Sequence, residues 1–165
     1  MKRLIKRLLS FIFTLYARFT LRDFRAGIKA NGYTKLTRNT RVGKNVNFNG
    51  FIIQGKGKCT FGSNFHSGPR CRIITINHNF DHGKAIPYDD TYIVKDVTIG
   101  DNVWLGFNVL ILGGVVIGEG AIIQAGSVVV SDIPKYAIAG GHPAKVFAQR
   151  DVEHYERLKE KGQFL

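Results

Sequence analysis

Between residues 77 and 92 the chain concentrates side chains able to do chemistry. The run NHNFDHGKAIPYDD, residues 77–90, holds two of the five histidines (His78 and His82), three aspartates (Asp81, Asp89 and Asp90) and Tyr88. A histidine that titrates near neutrality can take a proton from a hydroxyl as the hydroxyl attacks an electrophile. Either His78 or His82 can serve, with Asp81 placed to orient the imidazole. Neutral imidazoles also bind zinc, and His66, His78 and His82 form a candidate set for that chemistry.

These residues interrupt a repeat. From Ile99, every sixth residue is aliphatic: Ile99, Leu105, Ile111, Ile117, Ile123 and Val129. Four places after each come Val103, Val109, Val115, Ala121, Ser127 and Ile133, small or β-branched throughout. The same phase runs upstream through Leu36, Val42 and Phe48, paired with Thr40, Val46 and Ile52. After a slip near residues 55–57 it resumes at Phe61, Ser67 and Ile73. Six residues make one short strand and one corner, and three such units make a triangular coil that stacks on the next. The 19 glycines against 4 prolines fit many tight corners better than a flexible linker. A solenoid that extrudes one long loop usually does so for function.

Residues 1–25 read as a helix. Arg3, Arg7, Ser10, Thr14, Arg18, Arg22 and Arg25 recur at steps of three or four and form one polar stripe, while most other positions are apolar. Only about ten residues separate Arg7 from Arg18, too few for a membrane span. The small residues that a signal-peptide cleavage site needs are missing. An in-plane amphipathic helix fits, its apolar face covered by lipid headgroups or by the protein's own body.

With 165 residues the chain is one domain's length, and 44% hydrophobic against 22% charged residues excludes disorder. The net charge of +12 is lopsided: residues 1–35 hold nine Lys/Arg and one acid, Asp23. The body is thus nearly balanced, and nucleic acid is not an expected partner. Cys59 and Cys71 match no metal or redox spacing and are expected to be free, buried thiols.

The stretches 97–106 (VTIGDNVWLG), 123–129 (IQAGSVV) and 139–146 (AGGHPAKV) resemble the hexapeptide-repeat acyltransferases, particularly the galactoside, maltose and polysaccharide-sugar O-acetyltransferases. The resemblance covers about residues 36–150. It implies an all-β solenoid, a left-handed parallel β-helix over 36–143 with loop 77–92 extruded. A basic amphipathic helix (1–30) precedes it, and a C-terminal helix and tail (144–165) follow. It also implies a homotrimer with acetyl-CoA as acyl donor in the groove between protomers, and a sugar or glycan acceptor.

By the same resemblance His78 occupies the position of the catalytic base, with His82 and Asp81 as accessory candidates. Trp104, Gly106, Phe107, Ala125, Val130 and Lys145 match cofactor-lining positions, and Arg150 lies beyond them as a second cation for the phosphates. Phe107 stands where the sugar acetyltransferases have Ser, and Val130-Ser131 where they have Thr-Lys. Backbone groups would then hold more of the donor.

The expected activity is acetylation of a sugar hydroxyl in surface-polysaccharide or lipopolysaccharide biosynthesis, in the cytoplasm, with peripheral contact at the inner membrane face through residues 1–25. N-acetylation of a nucleotide-linked amino sugar is the alternative, to which Arg70 and Arg72 can contribute. Gamma-class carbonic anhydrases share the coil but space their last two zinc histidines five apart, whereas His78 and His82 are four apart. No metal is expected. A non-catalytic scaffold leaves the extruded loop unexplained.

Overall fold

The structure, a computed structural model, describes residues 1–23 and 26–165. Helix α1 (Lys2–Leu21) precedes strand β1 (Ile28–Lys35), the first rung of the solenoid. The first coil comprises β2 (Thr40–Val42) and β3 (Val46–Gln54), and β3 passes through a corner at Gly50 to serve two faces. The second comprises β4 (Cys59–Phe61), β5 (His66–Ser67) and β6 (Cys71–Ile74). A hairpin of β7 (Ile76–His78) and β8 (Tyr92–Val94) then leaves the body.

The third coil is β9 (Val97–Ile99), β10 (Trp104–Leu105) and β11 (Leu110–Leu112). The fourth is β12 (Val116–Ile117), β13 (Ile122–Ile123) and β14 (Val128–Val129). Finally β15 (Ala137–Gly141) turns back into the antiparallel β16 (Ala144–Gln149), and α2 (Val152–Glu160) closes the chain.

Coils stack in parallel register as the three faces of a left-handed β-helix. One face holds the first half of β3, then β5, β10, β13 and β15. The second holds the other half of β3, then β6, β11 and β14. The third holds β2, β4, β9 and β12. The six-residue grid is the core. Leu105, Ile111, Ile117, Ile123 and Val129 are fully buried, and so are Val103, Val109, Ala121 and Ser127 between them. Near the N-terminal end the column is filled by Phe48, Phe51, Phe61 and Phe65, whose ring centroids lie 4.9–6.1 Å apart.

Four expectations need correction. Phe51 and Ile53, not Ile52, point inward after Phe48, because the corner at Asn49-Gly50 drops one residue; the stretch through Gly55–Gly57 then adds two, so that the grid resumes at Phe61 one residue late. The solenoid begins at Ile28 rather than 36, for Ile28 and Ala30 already fill its core. The N-terminal helix ends at Leu21 rather than near 30, with Arg22 in the left-handed region (φ 59°) as its cap; Arg25 lies outside the described residues. Residues 144–149 form a strand, not a helix. The turn at residues 141–143 folds them against β15, where their backbone covers an edge that would otherwise be open.

The α1 stripe also has an unexpected partner. β1 is the terminal rung, so its outer edge needs hydrogen-bonding partners. Hydroxyls of α1 supply them: Ser10 Oγ donates to the Ala30 carbonyl (3.1 Å), the Ala30 amide donates to Thr14 Oγ1 (2.9 Å), and the Leu36 amide donates to Thr20 Oγ1 (3.1 Å). Ala17 and Leu21 are buried between them. The polar side of the helix faces the protein, and its apolar side does not.

At the other end α2 is held by Glu119, which accepts from Lys159 Nζ and, at 3.2 Å, from the Tyr155 hydroxyl. Burial works against the Glu119 carboxylate, but these partners and Lys135 hold its pKa below the usual value.

Both cysteines are free and buried, as expected. Burial pushes the Cys59 thiol up to about 12 and Cys71 to about 11, so thiolate is scarce near neutrality. The native protein should therefore leave a thiol reagent such as dithionitrobenzoate unreacted at pH 8, and release both thiols in guanidinium. Prompt reaction of either in the folded state would contradict the burial.

Candidate active site

The hairpin leaves at the corner between the second and third faces. Its base is closed by the Lys95 amide on the Thr75 carbonyl (2.9 Å). The register survives the interruption: Cys59, Thr60 and Phe61 stack on Val97, Thr98 and Ile99. In β7 the pairing sets His78 opposite Tyr92. The imidazole is half-buried, stacked on Tyr88 with centroids 3.7 Å apart at 21°, and flanked by Tyr92 at 4.8 Å. Its Nδ1 is sealed from solvent and has no hydrogen-bond partner among the described residues.

Beyond the strands, Asp89 organises the loop. Its carboxylate accepts from the Thr91 hydroxyl, the Lys84 amide (2.7 Å) and the Thr91 amide (2.9 Å), and these bonds, led by the Thr91 hydroxyl, hold its pKa below the ordinary value. Asn79 Oδ1 accepts from the His82 amide (3.2 Å), while Asn79 Nδ2 donates to Thr91 Oγ1 (3.1 Å). His82 and Asp81 themselves are exposed, and among the described residues no hydrogen bond joins Asp81 to His78. Two tyrosines hold the ring where sequence reasoning offered a carboxylate. Tyr88 was in view as a member of the loop. Tyr92 was not, and only the hairpin register could have found it.

His66 lies on the first face, in the outward row with Asn47, Trp104 and Ile122, and burial lowers its pKa. His78 and His82 belong to the hairpin at another corner. Among the described residues no three His, Cys, Asp or Glu side chains gather to hold a metal.

The residues matched to cofactor positions divide into two groups. Gly106, Phe107 and Ala125 share the corner between the first and second faces, with Trp104 just before it. The stacking there is tight: a Cβ on Gly106 would lie 2.6 Å from the Ala125 nitrogen. Phe107 is exposed, with the Arg70 guanidinium 5.6 Å from its ring centroid. Lys145 is exposed on β16 opposite Gly140, which packs over Gln124.

A cleft of about 640 Å³ follows this corner past Tyr33, Asn49, Arg70, Arg72, Asn108 and His142. Trp104 and Arg150 instead line a cleft of about 550 Å³ under α2 and the C-terminal tail. Arg150 is engaged there: its Nε donates to the Gly120 carbonyl (2.6 Å), and its guanidinium lies 5.5 Å from the Tyr155 ring. Val130 belongs with the other group, at the corner from which the hairpin emerges. Within one chain the width of the second face separates His78 and Val130 from Phe107 and Ala125.

Residues 96–131 match the family described as bacterial transferase hexapeptide (six repeats). Among solved structures, a hexapeptide-repeat-containing acetyltransferase from Vibrio cholerae is 30% identical over 70% of this chain, with a TM-score of 0.61; the match spans 65% of that protein's length. A galactoside acetyltransferase in complex with coenzyme A is 28% identical, covering 93% of this chain and 83% of its own, at a TM-score of 0.66. A maltose O-acetyltransferase from Clostridium difficile 630 is 26% identical, covering 90% and 88%, at 0.55.

Proposed function

Taking the chain as the hexapeptide-repeat protein that its repeats, its coil and its relatives make it, we propose that it is an acetyl-CoA-dependent acetyltransferase acting on a sugar hydroxyl, with His78 as general base. One observation carries this reading. A half-buried imidazole, clamped between two tyrosine rings, stands on the β7–β8 hairpin that interrupts the solenoid. Nδ1 is sealed, so Nε2 is the nitrogen left to meet a substrate. It takes the proton as the sugar oxygen attacks the thioester carbonyl, and returns it to the departing sulfur as the carbon–sulfur bond breaks. Stacking between tyrosines fixes the ring plane without adding a charge beside it.

The residues present fit the donor. Trp104, Phe107 and Val130 expose apolar surface suited to a pantetheine arm, and Lys145 is an exposed cation for its phosphates.

A homotrimer is part of the proposal. On the second face the outward positions include Ile52, Ile74, Leu110, Leu112, Val128 and Val130, an aliphatic surface where a solvent-facing sheet would be polar. Packing copies there would bring the His78 corner of one protomer to the Phe107 corner of another, joining the two groups. The acceptor is a sugar of a surface polysaccharide or lipopolysaccharide, and the location is cytoplasmic, where acetyl-CoA and reduced thiols coexist.

Titration calorimetry with acetyl-CoA, beside sedimentation of the same sample, tests donor and assembly together. Saturable micromolar-range binding, one donor per chain in a species of three chains, is expected. Absence of binding would remove the donor on which the mechanism depends. Acetyl release with a panel of sugars and amino sugars then separates oxygen from nitrogen acceptors.

A further inference from the structure

The face that α1 turns away from the protein is its most apolar one. Ser10, Thr14, Ala17 and Leu21 fall on one side at steps of four, three and four and meet β1. Opposite them Leu4, Leu8, Phe11, Leu15 and Phe19, with Ile5 and Ile12 beside, stand in solvent; Leu4 is 73% exposed, Phe11 61% and Phe19 67%. Monomeric soluble proteins rarely leave so continuous an apolar strip uncovered.

Charge identifies the occupant. By the 100° step of a helix Arg7 and Arg18 border the strip on one flank, and Lys2 lies beyond Ile5 and Leu9 on the other. On the arginine flank Arg3, Lys6, Arg7, Arg18 and Lys29 surround a shallow hollow, where Arg18 Nε is buried with no hydrogen-bond partner among the described residues. Apolar side chains pointing away from the body, with cations gathered along one edge and Lys2 on the other side, is the arrangement of a helix lying in a bilayer interface: Leu and Phe enter the acyl boundary while Lys and Arg reach the phosphates. A second copy pressed on the same strip would instead bring two cationic borders together. No helix among the described residues is long and apolar enough to cross a membrane, so the contact lies in the plane.

We propose that α1 docks the protein on an anionic lipid surface through the Leu4–Leu8–Phe11–Leu15–Phe19 strip, with Ser10 and Thr14 holding the helix to the solenoid. The proposal is independent of the acetyl-transfer reading.

The test is co-sedimentation of the full chain with vesicles of phosphatidylcholine alone or mixed with phosphatidylglycerol. Partitioning onto the anionic vesicles is expected to exceed that onto neutral ones on the order of a hundredfold at low salt, and to fall as salt rises. Both Leu8 and Phe11 point into solvent, so the double variant Leu8→Glu, Phe11→Glu should melt like the native protein. It should lose partitioning on the order of a hundredfold. A native chain that stays in the supernatant with anionic vesicles, or a double variant that sediments as the native does, overturns the proposal. So does a double variant whose assembly mass falls in the absence of lipid, since the strip would then belong to a second copy.

Discussion

His78→Ala is expected to lower kcat for acetyl transfer by roughly a hundredfold to ten-thousandfold, the range that loss of a positioned general base produces. The ring is held by stacking and not by backbone bonds. The β7–β8 pairing and the Asp89 and Asn79 bonds that shape the loop all persist without it. Acetyl-CoA affinity should stay near native, because the contacts proposed for the donor are made by Phe107, Val130 and Lys145 and not by the imidazole. His82→Ala is the informative control. That side chain is exposed, and its backbone amide alone serves the loop. A change of less than about threefold is expected, well under the cost of losing a base. Steady-state kinetics on both variants decides the matter. Near-normal turnover of His78→Ala would remove it from the mechanism, and a dead His82→Ala would move the base four residues along.

Phe61→Ala should produce the largest loss of stability among single core truncations. Phe61 is 1% exposed and touches three other rings, with centroids at 4.9, 5.3 and 5.6 Å. Removing a buried phenyl costs about 3–5 kcal/mol through lost transfer energy and the void it leaves. For a chain of this size that lowers Tm on the order of 10 °C. Ile117→Val, one methylene deeper in the aliphatic column, should cost only about 1 kcal/mol. Thermal melts by circular dichroism at fixed protein concentration give the comparison, since assembly couples to Tm. Equal shifts for the two would mean that the aromatic coil collapses onto its void.

The core was legible because a coil's period is rigid. Each residue from Ile99 to Val129 on the six-step grid had to point inward once one did, and all of them do. Where a corner gains or loses a residue the phase is set by turn geometry, which is why Ile52 was misassigned and Phe51 was not seen. Ile28 and Ala30 escaped notice because β1 pairs along only one edge and is completed by a helix. Residues 144–149 read as helix because Ala, Val and Phe at that spacing suit either element, and only the turn before them decides. The loop is legible because it breaks the grid, and His78 is a candidate base by its place in it. The tyrosine clamp and the work of Asp89 depend on hairpin register, which no local pattern carries. For α1 the amphipathic period was plain, but which side docks was decided by the unpaired edge of β1.

The 38 residues from Cys59 to Val97 span a single step of the stack, whereas Thr98 to Val116 takes 18. The surplus of 20 residues leaves and re-enters with the strand register intact. Scaffold and hairpin are thus separate segments of this chain. An insertion of this kind can change in length while the coils beneath it keep their register.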